Sequence, residues 1–259
     1  MACTPTELMT VAAARLLSDG DVCFVGIGLP SAACNLARLT HAPRLTLIYE
    51  SGAIGARPGA LPLSIGDGEL CETALTTVSV PEMFRYWLSG GRITVGFLGA
   101  AQIDRHANLN TTVLGDYRRP RVRLPGAGGA PEIASGCDQV FVVLPQSPRA
   151  FVERLDFVTT LGHGEGRGHR LGLGLTTNGP TKVITDLCIL EPDAETRELT
   201  VTQLHRGVTV DEVKQATGWP LRFAGMLGET APPSAHELAV LRDLHRRTEE
   251  AHGTSPGVA

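Results

Sequence analysis

The sequence predicts an α/β protein built on an open, mostly parallel twisted sheet, with helices on both faces and an antiparallel edge hairpin. Three observations carry that expectation. Short apolar, β-rich runs alternate with segments of helical period, glycine-marked turns follow those runs, and two late runs are separated only by a polar turn.

The first helix is expected from Thr6 to Leu17, closed by Ser18-Asp19-Gly20. Asp21 to Val25 follows as a strand, Gly26-Ile27-Gly28-Leu29-Pro30 as a turn, and a helix opened by Pro30 runs to about Leu39. Leu45 to Tyr49 completes a β-α-β unit, whose crossover implies parallel strands. Pro81 to Leu88 reads as a helix ended by Gly90-Gly91, Arg92 to Leu98 as a strand, Pro131 to Ala134 as a short helix, and Gln139 to Leu144 as a buried strand. Lys182–Leu190 and Glu198–Leu204 form the expected edge hairpin. Thr209-x-x-Glu212 and Ser234-x-x-Glu237 are capping boxes that open two further helices. No composition shift marks a boundary, so one domain over residues 1–259 is expected, with 253–259 as a frayed tail.

With 42% hydrophobic and 19% charged residues, the 259-residue chain can bury a substantial core. A net charge of -4 without a basic stripe argues against nucleic acid, and no apolar run has the length of a membrane span. The six cysteines form no C-x-x-C pair and read as reduced thiols of a cytoplasmic protein.

The chemistry centres on Tyr49-Glu50-Ser51-Gly52, where a carboxylate follows the apolar run Leu45–Ile48. A carboxylate there is either leaving the sheet for solvent or held for chemistry, because burying it unpaired costs free energy. Four glycine-marked turns lie beside expected strands: Gly26-Ile27-Gly28, Ser51-Gly52-Ala53, Gly99-Ala100-Ala101-Gln102 and Gly126-Ala127-Gly128-Gly129. In a parallel sheet such turns gather where ligands bind, although each one alone is equally a tight connection. Gly26-x-Gly28-x-x-Ser31 partly matches a dinucleotide fingerprint, with Glu50 near the place of the ribose-binding acid; Ser at the third position and Pro30 depart from it. Ser51 lacks the flanking glycines of a hydrolase elbow, which here are Tyr49 and Ala53. His163 and His169 fall in a glycine-rich segment, 162–174, that reads as a solvated loop without metal-site spacing, so no metal is expected. Arg118, Arg119, Arg121 and Arg123 fit either a phosphate-bearing ligand or a solvated or subunit-facing edge.

Val25–Pro30, Tyr49–Gly52, Gly99–Asp104 and Pro125–Ala130, with Leu114–Tyr117, Leu155–Thr159 and Val208–Val213, together resemble the β subunit of family I coenzyme A transferases, glutaconate CoA-transferase above all. Ser-Gly after the glutamate, where oxoacid-using relatives usually carry Asn-Gly, points to the glutaconate branch; a residue other than glycine before Asn108 departs from the pattern. The resemblance implies that Glu50 is the nucleophile of a transfer through a glutamyl-CoA thioester. It further implies that Gly126, Gly128, Gly129 and Gln102 meet the oxyanion and substrate, and that Gly26, Gly28, Ser51 and Gly52 form the loop around CoA and substrate. Coenzyme A is then a cosubstrate with no permanently bound cofactor, a homologous α subunit is the partner, and the acid is a dicarboxylate or oxoacid. An acyl-CoA hydrolase or decarboxylase on the same fold is the alternative, and an NAD-dependent oxidoreductase a remote one.

Overall fold

The computed structural model describes residues 3–253, so the tail expected beyond Gly253 lies outside the described residues. Contacts divide the chain into two compact units, Met1–Phe97 with Pro232–Ala259, and Leu98–Ala231. Because the C-terminal helix returns to the first unit, the division crosses the chain twice and leaves no linker for composition to reveal.

Unit 1 begins with α1 (Pro5–Arg15), opened by a Thr4/Glu7 capping box, followed by β1 (Val22–Val25), α2 (Leu29–Leu39) and β2 (Thr46–Tyr49). β1 and β2 pair in parallel, Val22 with Thr46 through Val25 with Tyr49, as the β-α-β pattern requires. A short antiparallel strand, β3 (Ala53–Ile54), follows; then come α3 (Gly68–Glu72), β4 (Thr76–Thr77), α4 (Val80–Glu82) and β5 (Val95–Leu98), which is parallel to β1.

Alternation along β1 shows how both faces are covered. The Cys23 thiol lies 3.5 Å from that of Cys34 on α2, while Phe24, next along the strand, meets Phe84 edge-on with ring centroids 6.2 Å apart. Phe84 belongs to a π-helical turn, Met83–Leu88, so the expected helix over 81–88 is present with a wider winding than its period implied. The C-terminal helix (Ala235–His252) packs on α1 and α2 and ends in Gly253, whose positive φ of 75° suits a left-handed cap. Arg15 fixes it by donating to both oxygens of Glu237 at 2.7 Å.

Unit 2 holds two small hairpins, β6 (Gln102–Ile103) with β7 (Leu109–Asn110) and β8 (Val113–Gly115) with β9 (Pro120–Arg123). The glycine loop leads into α5 (Ala130–Gly136) and β10 (Gln139–Val143), and after α6 (His169–Gly172) the chain forms β11 (Pro180–Ile184), parallel to β10. β12 (Cys188–Pro192) and β13 (Leu199–Leu204) are antiparallel neighbours; α7 (Val210–Gln215) then precedes β14 (Arg222–Glu229), parallel to β13. Both predicted capping boxes form.

Three expectations change here. The run Lys182–Leu190 is two strands, because the Thr185 hydroxyl accepts from the N–H groups of Leu187 and Cys188 and turns the chain between them. The β12–β13 hairpin is flanked by β14, whose Gly225 and Gly228 interrupt the apolar alternation that announces a strand. The 162–174 segment is a solvated loop only in part. Arg170 is buried in it and donates to the carbonyls of Gly162, Ala134 and Thr177, while His163 is 3% exposed and its Nε2 donates to the Pro180 carbonyl at 2.8 Å. Among the described residues no helix is long and apolar enough to cross a membrane.

This packing can be tested at two positions. At Gly52, φ is +106° and an added Cβ would stand 1.9 Å from the Val78 carbonyl oxygen; Gly52→Ala should therefore destabilise the protein by roughly 3 kcal/mol or more in chemical denaturation. Burial pulls the His163 imidazole down to about 4 from its ordinary 6.5, so between those values the unfolded chain binds the extra proton. Stability should fall as pH drops from about 6.5 to about 4, by up to roughly 3 kcal/mol, and His163→Gln should flatten that slope.

Candidate functional site

The strand-end carboxylate sits on a β-turn. The Gly52 N–H donates to the Tyr49 carbonyl at 2.9 Å, which makes Glu50 and Ser51 the two central residues of a tight reversal from β2 into β3. The turn is held from behind by Val78, whose N–H donates to the Gly52 carbonyl at 3.0 Å. Glu50 is half-buried, and among the described residues no hydrogen bond or ion pair engages its carboxylate. This carboxylate at the mouth of a parallel strand is partly withdrawn from solvent and braces nothing among the described residues.

Val25 is the register partner of Tyr49, so the Gly26-Ile27-Gly28 turn leaves the same edge as Glu50. Gly28 caps α2 with φ +79° and no side-chain hydrogen bond, a conformation that favours glycine. Behind these two turns the Tyr49 hydroxyl meets Ser31 at 3.1 Å, and burial pushes that phenol well up from its ordinary value. Ser31, read as the third position of a dinucleotide fingerprint, thus ties α2 to β2. The Ser51 hydroxyl oxygen is buried without a hydrogen-bond partner.

In unit 2, the other two glycine turns come together. Ala100 and Ala101 face Pro125, Gly126, Ala127 and Ala130 across an open recess of about 260 Å³, with Thr111 and Leu124 completing its wall. Thr111 clamps the loop from both sides: its hydroxyl donates to the Gly126 carbonyl at 2.7 Å and its carbonyl accepts from the Gly126 N–H at 2.9 Å. The N–H groups of Gly128 and Gly129 have no acceptor among the described residues, and φ values of +101° at Gly126 and +50° at Gly128 shape the loop. Such N–H groups are suited to a developing oxyanion.

Gln102 is tied into the wall beside the recess. It is buried, its amide nitrogen donates to Asp156 Oδ2 at 3.1 Å, and its oxygen accepts from Asn110 Nδ2 at 2.7 Å and from the Asp156 N–H at 3.1 Å. These bonds brace the recess and leave one amide N–H without an acceptor among the described residues. Asn110, Asp156 and Thr159 complete the brace and carried no role in the sequence reading. Thr159 takes the Thr111 N–H at 2.9 Å, and Asp156 also accepts from the Gly115 N–H at 2.9 Å. For Asp156 and Thr159 the only signal was their place in the segment Leu155–Thr159, and Asn110 lay in no segment singled out.

Comparison with known proteins gives the family. Residues 6–216 match the model of the family described as coenzyme A transferase. The β subunit of the 3-oxoadipate CoA-transferase of Pseudomonas knackmussii is 62% identical over 97% of this chain and 96% of its own length. The β subunit of the glutaconate CoA-transferase of Acidaminococcus fermentans is 32% identical over 90% and 89%. The crystal structure of glutaconate coenzyme A-transferase from the same organism superposes with a TM-score of 0.88 at 29% identity, over 99% of this chain and 96% of that one. The likeness to glutaconate CoA-transferase read from the sequence is thus real, and the nicotinamide reading is not favoured. The chain belongs to the coenzyme A transferase family, among its β subunits.

Proposed function

We propose that this chain supplies the nucleophile, Glu50, of a CoA-transferase that works with a homologous α subunit and takes 3-oxoadipate as its acid. The acid combines the two features left open by the sequence, a dicarboxylate and an oxoacid, and it is the one named for the 62% identical relative. The observation that carries the assignment of Glu50 is its free, half-buried carboxylate at the centre of the Tyr49–Gly52 turn.

The Glu50 carboxylate attacks the thioester carbonyl of the donor acyl-CoA, and the CoA thiolate leaves, giving an acyl-glutamyl anhydride. The thiolate then attacks the glutamyl carbonyl, releasing the donor acid and leaving a glutamyl-CoA thioester. The acceptor carboxylate displaces CoA from Glu50 to form a second anhydride. CoA attacks its acyl carbon, and Glu50 is restored. A carboxylate in water is a weak nucleophile, so the rate depends on backbone donors waiting for each oxyanion, the role of the Gly128 and Gly129 N–H groups. Water must be kept out, because a wetted anhydride hydrolyses instead of passing on its acyl group. Gly26, Gly28, Ser51 and Gly52 shape the loop around the reacting groups. Coenzyme A enters as cosubstrate, no permanent cofactor is required, and the free cysteines suit a cytoplasmic setting.

The test uses the reconstituted αβ enzyme with succinyl-CoA and 3-oxoadipate. Hydroxylamine or borohydride added during turnover should modify the peptide containing Glu50, and Glu50→Ala should lower kcat by at least about 10³-fold with the fold intact. Full turnover with an unmodified Glu50 peptide would remove the assignment.

A further inference from the structure

The β8–β9 hairpin rises from the wall of the unit 2 recess. Its base is formed by Thr111 and Leu124, which line the recess, and its tip by Asp116-Tyr117-Arg118-Arg119. Arg118, Arg119 and Arg121 are exposed and have no ion-pair partner among the described residues. The nearby Asp116 carboxylate forms no ion pair with them: its Oδ1 accepts from the backbone N–H groups of Arg118 and Arg119, at 2.8 and 3.0 Å. Three exposed guanidinium groups within four residues of one hairpin present positive charge that a polyanion complements.

The hairpin is also held in shape before any ligand arrives. Tyr117 stacks on Phe157 with ring centroids 5.3 Å apart, and the Arg123 guanidinium lies 4.8 Å from the Tyr117 ring centroid while donating to the Tyr117 carbonyl at 2.9 Å. Beside Phe157, Asp156 takes the Gly115 N–H at the end of β8. Arg123 is therefore committed to the scaffold, and the other three arginines are left for a ligand. From Leu124 to Arg119 the strand covers about 16 Å, a span comparable to the extended pantetheine arm that separates a CoA thioester from its phosphates.

We propose that Arg118, Arg119 and Arg121 form the binding site for the phosphate groups of coenzyme A, with the pantetheine arm running along the hairpin to the recess. The inference rests on the reading of the Gly126–Gly129 loop as the place of the thioester. The ligand is a small polyanion carrying a pyrophosphate and a 3′-phosphate, which matches a cluster of separate guanidinium groups better than a single carboxylate does.

The experiment compares the wild-type αβ enzyme with the Arg118→Ala/Arg119→Ala/Arg121→Ala variant and the corresponding triple Lys variant. The Ala variant should raise KM for succinyl-CoA at least about tenfold, with kcat within about twofold, KM for 3-oxoadipate unchanged and a weaker dependence on ionic strength. The Lys variant, which keeps the charge, should recover most of the loss. The wild type should favour succinyl-CoA over its 3′-dephospho analogue, and the Ala variant should lose that preference. Trapping of Glu50 at saturating donor should persist in the variant, so the hairpin can fail without the nucleophile failing. An unchanged KM for succinyl-CoA would overturn the proposal, and so would loss of the α subunit from the Ala variant on gel filtration, which would make the hairpin a subunit contact.

Discussion

The hydrogen bond from the Gly52 N–H to the Tyr49 carbonyl is the constraint on which the candidate nucleophile depends. It closes a four-residue reversal that cannot relax, because the Val78 carbonyl fills the space a Cβ at position 52 would need. The consequence reaches Glu50 by geometry alone. A central residue of a turn projects away from both strands, so its side chain is lifted out of the sheet without any partner having to pull it. The carboxylate can then remain unpaired while its backbone is fixed by β2 and β3. A salt bridge would have held the side chain equally well, but it would have occupied the oxygens that the chemistry needs.

Unit 2 solves a different problem by a different means. Its recess is bounded by loops, and loops have no ladder to hold them. The ladder is replaced by side chains whose polar atoms are consumed internally, Gln102 with Asn110 and Asp156, and Thr111 with Gly126 and Thr159. Each interior bond contributes little net stability, but leaving a buried partner unpaired costs about 1–3 kcal/mol, so the network resists piecemeal loosening. This accounts for the position of Gln102 inside the brace. Its amide nitrogen holds Asp156, and without Asp156 the tip end of β8 loses its tie at Gly115.

Much of this was legible in the sequence because strand ends, glycine turns and caps are local signals. Val22–Val25, Thr46–Tyr49 and Gln139–Val143 are apolar runs that need both faces covered, and the capping boxes at Thr209 and Ser234 depend on residues three apart. What escaped was non-local. The burial of His163 depends on the Pro180 carbonyl, and that of Arg170 on carbonyls as distant as Ala134; no window of sequence contains those partners. β14 escaped because its glycines erase the alternation, although β13 supplies the pairing. The bonds of Gln102 escaped for the same reason, since a motif identifies a position but not what its amide already holds.

The charge on the β8–β9 hairpin can be weighed against the rest of the surface. Some exposed arginines meet nearby carboxylates, Arg246 with Asp243 and Glu250, Arg44 with Asp19 and Arg222 with Glu198, while Arg57, Arg85, Arg149, Arg154, Arg167 and Arg206 stand singly without an ion pair among the described residues. Exposed pairs of this kind contribute little stability, typically below about 1 kcal/mol, so folding alone would not enforce such pairing or its absence. What sets Arg118, Arg119 and Arg121 apart is that all three lie within four residues of one hairpin, which Tyr117, Phe157 and Arg123 already hold together. A chain with net charge -4 repels a polyanionic cosubstrate on average, and on the assignment proposed above the three arginines are the local device that reverses that repulsion where the recess begins.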